Sequence, residues 1–123
     1  MIKGVVNVKK QELIKNGYVN FEDWASNKDN VYIGRDMSYY VPGAIGSIWG
    51  NPFPVKKSPT DMRKNTFTLD DSLTRYRQHV ESNPALIAKL KDLDGKILGC
   101  WCKPHRCHGD VLIELITKYH NKQ

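Results

Sequence analysis

The sequence predicts an α/β domain, a small single layered unit over residues 1–123 with a mostly parallel sheet flanked by helices. Three observations carry this reading. Short β-branched or apolar runs at 5–8, 31–34 and 96–102 alternate with stretches of helical periodicity, the pattern of a layered α/β chain. The last strand and the last helix are separated by only a few residues, so the chain turns tightly at the strand's end. At 123 residues the chain is long enough for one core of ordinary size and too short for two.

Taken in order, residues 5–8 read as the first strand because they are short and β-branched, and KKQELIKNGYVN at 9–20 fits no single period. Asn20 then stands as a cap, with Asp23 three residues on, for a short helix around Phe21 and Trp24 that ends by 27–30. The second strand at 31–34 opens into a Gly- and Pro-rich passage, 35–59, with aromatics interleaved. A connection of that length in so small a domain points to function. Thr68 and Asp71 form a capping box, and Leu73, Tyr76 and Val80 recur at helical spacing, so a helix runs to about Ser82. Asn83 and Pro84 start another, with proline where its missing N–H costs nothing, and Asp94 and Gly95 stop it. The strand at 96–102 is apolar on alternating sides, as a strand buried on both faces would be. The final helix, 109–119, places Val111, Leu112, Leu115, Ile116 and Tyr119 inward.

Composition narrows the class. Forty per cent apolar residues describe a folded chain, and no apolar run approaches the ~20 residues of a membrane span. The N-terminus lacks the apolar stretch and cleavage site of a signal peptide, so the expectation is a soluble, cytoplasmic protein with no membrane partner. The cysteines number three, and two are one residue apart, which argues against a disulfide scaffold. Nineteen basic against 13 acidic side chains, a formal charge of +6, favour a phosphate-bearing partner, nucleotide or nucleic acid.

All three cysteines and two of the four histidines fall within 100–108, and three readings compete there. In the first, Cys100, Cys102, Cys107 and His108 hold zinc. Against it, a one-residue gap on an extended strand sets two sulfurs ~6 to 7 Å apart, wide for one metal. Apart from that option no cofactor is expected. In the second, Cys107 and His108 begin a helix whose free N–H groups, with His105 and Arg106 nearby, lower a thiol pKa and attract an anion. Gly109 then permits close backbone approach, and Asp110 fixes a histidine tautomer or a ribose hydroxyl. In the third, Cys100 and Cys102 are small core hydrophobes and the histidines are turn residues. Clustering at the C-terminal end of a parallel strand, where open α/β sheets bind ligands, favours a functional loop.

VYIGR at 31–35, WGNPF at 49–53, RYR at 75–77 and LDGKILGCWCKPHRCHGDVLIELI at 93–116 together resemble the DUF4326 family, small domains met in bacteria, phages and other viruses. The likeness covers about 5–116 and implies a viral or mobile-element setting, with the host cytoplasm as location; it supplies no activity. The C-terminal signature is also similar to a cysteine-then-CHR pattern in DUF488, from which Gly109 departs.

Residues within these motifs have physical readings of their own. Arg35, after a strand, is placed to clamp a phosphate, or to tie down the loop as a surface arginine. Asn51 reads a base edge or, the favoured alternative, initiates a turn before Pro52. Trp49 and Phe53 serve as ring-stackers or core plugs, and Trp24, Tyr76 and Trp101 belong to the core. The functional expectation is a phosphate-bearing ligand at 102–110, faced by Arg35 and Asn51. A Cys-dependent nucleotide- or nucleoside-processing reaction would use Cys107 as nucleophile and His105 or His108 as base. The alternative is a non-catalytic viral binding protein whose Cys/His loop is structural or zinc-bound. Neither a phosphate-binding P-loop nor a dinucleotide fingerprint is present.

Overall fold

The computed structural model describes residues 2–103 and 105–120. Its three strands, β1 (Gly4–Asn7), β2 (Asn30–Tyr32) and β3 (Ile97–Cys100), are all parallel, in the order β1-β3-β2. Gly99 is the register point, opposite Val6 on one side and Tyr32 on the other. The last strand of the chain is therefore the central one, and its end is flanked by two neighbours. The ladder continues one bond past β1 and β2: Val8 N–H donates to the Cys100 carbonyl at 2.9 Å and Ile33 N–H to the Gly99 carbonyl at 2.9 Å.

Helices cover both faces, because apolar side chains alternate along the strands. On one face α1 (Lys10–Lys15) and α2 (Phe21–Ala25) bring Leu13, Phe21 and Trp24 against Val8 and Tyr32. The ambiguous segment resolves as helix α1, closed at Gly17 with φ +90°. Asn20 caps α2 by accepting from Asp23 N–H at 2.9 Å, while the Asp23 carboxylate accepts from Val19 N–H at 2.9 Å. On the other face lie α3 (Leu69–Glu81), α4 (Pro84–Lys89) with a 3-10 turn over Leu90–Leu93, and α5 (His108–His120). Leu73, Tyr76, Val80, Leu90, Leu98, Leu112 and Leu115 form the centre of that larger core. Thr68 accepts from Asp71 N–H at 3.2 Å, as the capping box requires, and Gly95 ends the α4 segment with φ +76°.

Two glycines allow the layers to approach. A methyl group on Gly99 would sit 2.3 Å from Trp24 Cη2 and 2.6 Å from Val8 Cγ1, so the absent side chain lets Trp24 lie flat on the central strand. At Gly109 the same methyl would meet Val5 and Ile33 at 2.9 to 3.0 Å, which seats the first turn of α5 directly on the sheet. β1 has the expected length, shifted by one residue, whereas β2 and β3 are shorter than expected: β3 leaves the ladder after Cys100, so Trp101 and Cys102 belong to the turn.

Between β2 and α3 the long loop makes one isolated bridge, Val55 to Phe67, and is otherwise irregular. It is anchored by side chains. Trp49 is buried and its carbonyl accepts from Tyr76 Oη at 2.7 Å. Asn51 Oδ1 accepts from Phe53 N–H and its Nδ2 donates to Ser72 Oγ, both at 2.9 Å, while Ser72 Oγ donates to the Phe53 carbonyl at 2.6 Å. Trp49 is thus a core plug and Asn51 a turn-former, both with fully structural contacts.

Candidate functional site

Because all strands run the same way, the loops after β2 and β3 emerge at one sheet edge. There the long loop and the cysteine turn border an open cavity of about 440 Å³. Gly34, Arg35 and Met37 line it from the β2 side, Asn51, Phe53, Val55, Lys57 and Arg63 from the loop, and Cys100, Trp101, Cys102 and His108 from the floor. Two of its cations are uncommitted: among the described residues neither Arg35 nor Lys57 forms an ion pair. Arg63 is held by Asp61 in a fork at 2.7 to 3.0 Å. No carboxylate stands on the described wall.

The sulfurs are arranged unequally. Cys100 and Cys107 are buried, with their Sγ atoms 3.2 Å apart, whereas Cys102 is exposed. The Cys100 and Cys107 sulfurs share a hydrogen bond. Cys107 is raised far above an ordinary thiol by its bond to Cys100 and by burial, and Cys100 is raised by its interaction with Cys102 and by burial. The interaction with Cys100 pulls Cys102 down to about 7, with Lys103 and Lys9 adding to the effect. Of the three sulfurs, Cys102 is the one whose surroundings favour the thiolate.

That corrects the expectation of a low-pKa thiol at Cys107. Its position at the start of α5 is as read, but its side chain turns into the core, and Asp110 occupies the helix opening: the carboxylate accepts from Cys107 N–H at 3.0 Å. Desolvation and a nearby negative charge both oppose ionisation there. Asp110 also takes Lys103 Nζ at 2.8 and 3.0 Å, which ties the turn to the helix. It lines the cleft between α3 and α5 and is not on the cavity wall. Gly109 is buried against Val5 and Ile33, so its close approach serves packing and not a ligand.

His108 is buried and its Nε2 lies 2.6 Å from the Ile33 carbonyl, under the Tyr76 ring at 5.0 Å. Burial lowers its pKa, so the ring is neutral, Nε2–H donates to Ile33, and Nδ1 keeps the basic lone pair. Of the other expected site residues, His105 is exposed, and its backbone N–H donates to the Cys102 carbonyl at 2.8 Å. Arg106 pairs with Asp70 at 3.0 Å in a separate cleft between α3 and α5. The structure therefore brings Arg35, Asn51, Cys100, Cys102 and His108 to one cavity and leaves His105, Arg106, Cys107, Gly109 and Asp110 off it. A shell of Cys100, Cys102, Cys107 and His108 is not assembled: among the described residues no three of His, Cys, Asp and Glu are grouped to hold a metal ion. Sequence reasoning missed Lys57 and Arg63 as lining residues, although the basic stretch at 56–64 was a visible signal. Trp101, expected in the core, is half-buried: it contributes to the cavity floor and donates Nε1–H to Tyr32 Oη at 2.7 Å.

Comparison with known proteins places the chain among viral relatives. It is 29% identical over 73 residues to an uncharacterized 12.4 kDa protein of the nrdA-td intergenic region of Enterobacteria phage T4, a match covering 59% of this chain and 63% of the phage protein. It is 31% identical over 111 residues to an uncharacterized protein of Acanthamoeba polyphaga mimivirus, covering 81% and 78%. The chain thus spans less than two thirds of the phage relative's length. No solved structure matches it. No helix among the described residues is long and apolar enough to cross a membrane. With residues 18–118 matching a domain of unknown function that includes the β2, cysteine-turn and α5 segments, the chain belongs to the DUF4326 family.

Proposed function

We propose that the chain binds a nucleotide-like ligand, an aromatic ring bearing phosphate, in the cavity at the C-terminal ends of β2 and β3. The observation that carries this reading is the pair of uncommitted cations, Arg35 and Lys57, on a wall otherwise made of aromatic, aliphatic and sulfur surface. Phosphate answers the guanidinium and ammonium, and a planar ring answers Phe53 and Trp101. The volume, about 440 Å³, lies within the range of small-molecule sites. Location supports it further, since ligands of open parallel sheets bind beyond the strands' carboxyl ends.

In the catalytic form of this reading Cys102 is the nucleophile and His108, through Nδ1, the base; Cys107 has neither the exposure nor the ionisation. The buried Cys100–Cys107 contact favours a packing role for that pair, which is the part of the non-catalytic alternative the geometry supports.

Isothermal titration at low salt with nucleoside mono- and diphosphates, the parent nucleosides and a single-stranded oligonucleotide tests the proposal. Nucleotides bind and nucleosides do not, and Arg35→Ala weakens the nucleotide by roughly 1.5–3 kcal/mol, the worth of a charged hydrogen bond. An oligonucleotide that outcompetes every mononucleotide, with affinity falling steeply in salt, would move the function to nucleic-acid binding. Absence of binding by all of them at low ionic strength refutes the reading.

A further inference from the structure

We propose that Cys102, Cys100 and Cys107 form a thiol relay: a low-molecular-weight disulfide entering the cavity exchanges with Cys102, and the oxidation passes inward to end as a Cys100–Cys107 disulfide. The inference rests on how the sulfurs are placed and not on the phosphate reading. Cys100 and Cys107 are 1% and 2% exposed, too enclosed for direct attack by a peptide-sized oxidant, yet their sulfurs stand 3.2 Å apart, facing each other without an intervening group. Cys102 is exposed on the cavity wall, where Cys100 also comes to the lining, and Cys100 is hydrogen-bonded to Cys107. The cluster therefore has one entrance and one end point, joined through Cys100.

Three exchanges complete the path, each an in-line attack of sulfur on a disulfide. The Cys102 thiolate attacks one sulfur of glutathione disulfide; the Sγ–S bond forms, the S–S bond breaks, and one glutathione thiolate leaves. Cys100 gives up its proton and attacks Cys102 Sγ, expelling the second glutathione thiolate. The resulting bridge joins residues one apart, a strained geometry and hence a reactive one. Cys107 then loses its proton and attacks Cys100 Sγ, returning Cys102 as a thiolate. In sum two protein thiols lose two electrons, the glutathione disulfide gains them, and the protons of Cys100 and Cys107 end on the two glutathione thiols.

The relay predicts a distinct product. Full-length protein incubated with glutathione disulfide at neutral pH under argon, then digested and mapped by mass spectrometry, yields a species two hydrogens lighter in which Cys100 is linked to Cys107 and Cys102 is free. Cys102→Ser, at an exposed position that leaves the fold intact by circular dichroism, forms that link at least about tenfold more slowly because the entrance is gone. Cys100→Ser stops at glutathione attached to Cys102. A wild-type protein that ends as a stable Cys102–glutathione adduct without the internal link overturns the relay, as does a Cys102→Ser variant that oxidises at the wild-type rate.

Discussion

Replacing the pH as the variable, the alkylation rate of Cys102 tests the electrostatics of the cavity floor directly. Its pKa is about 7, against 9.0 for the same thiol without neighbours. At pH 7 about half of Cys102 is thiolate, where an ordinary thiol at 9.0 would be ionised to only about 1%, roughly a fiftyfold gain. A thiolate of lower pKa is also a weaker nucleophile; with a Brønsted slope of about 0.45, two units cost roughly eightfold. The net advantage is about sixfold. Iodoacetamide labelling followed residue by residue by mass spectrometry should give a Cys102 rate with a midpoint close to pH 7, while Cys100 and Cys107 remain unlabelled in the folded protein because both are buried. Cys100→Ala, which removes the thiol that most favours ionisation of Cys102, moves the midpoint upward. A Cys102 midpoint near 9, or labelling of Cys107 ahead of Cys102, would refute the assignment of the thiolate.

Other consequences follow from the packing. Gly99→Ala forces a methyl group into Trp24 and Val8 and should cost about 3 kcal/mol in urea denaturation, while Gly4→Ala, whose methyl meets nothing within 4 Å, changes stability by less than about 1 kcal/mol. Equal effects would show that Gly99 is not a close-approach position. His108 is neutral in the fold, its pKa held below the ordinary 6.5 by burial, so below pH 6.5 the unfolded chain binds a proton that the native chain does not. Native stability is fully present above 6.5 and falls by up to about 1.4 kcal/mol per pH unit until the folded pKa is reached. Denaturant melts of the wild type and His108→Gln at pH 7 and pH 5 check this: the wild type loses the extra stability on acidification, and parallel losses in the two proteins would contradict it.

The layered fold could be read from local signals because those signals survive in the structure as contacts. Thr68 and Asn20 cap the helices that their spacing predicts, and the Leu73, Tyr76 and Val80 stripe is the one α3 buries. The expected residues Arg35, Asn51, Cys102 and His108 come together on the cavity wall, whereas Cys107 lies off it. A helix start argues for a thiolate at Cys107 only while the side chain stays in contact with the helix's free N–H groups and with water. Here Asp110 reaches back to that N–H and the sulfur turns to Cys100, a tertiary arrangement that no periodicity encodes. Gly109 shows the same limit: the sequence indicates close approach, but only the packed sheet reveals that the approaching groups are Val5 and Ile33. Arg106 and Asp110 sit near the turn in sequence yet line the α3–α5 cleft, a different surface from the cavity.

The proposed phosphate-binding cavity is tested most directly by measuring Cys102 alkylation at pH 7 and low salt while a nucleoside phosphate is titrated in. Cys102 and Arg35 line the same space, so bound nucleotide should shield the thiol: the rate falls along a saturable curve, the parent nucleoside leaves it unchanged, and Arg35→Ala shifts the curve to higher concentration. A nucleotide that binds by calorimetry yet leaves the Cys102 rate untouched occupies some other surface, and that result would contradict the account.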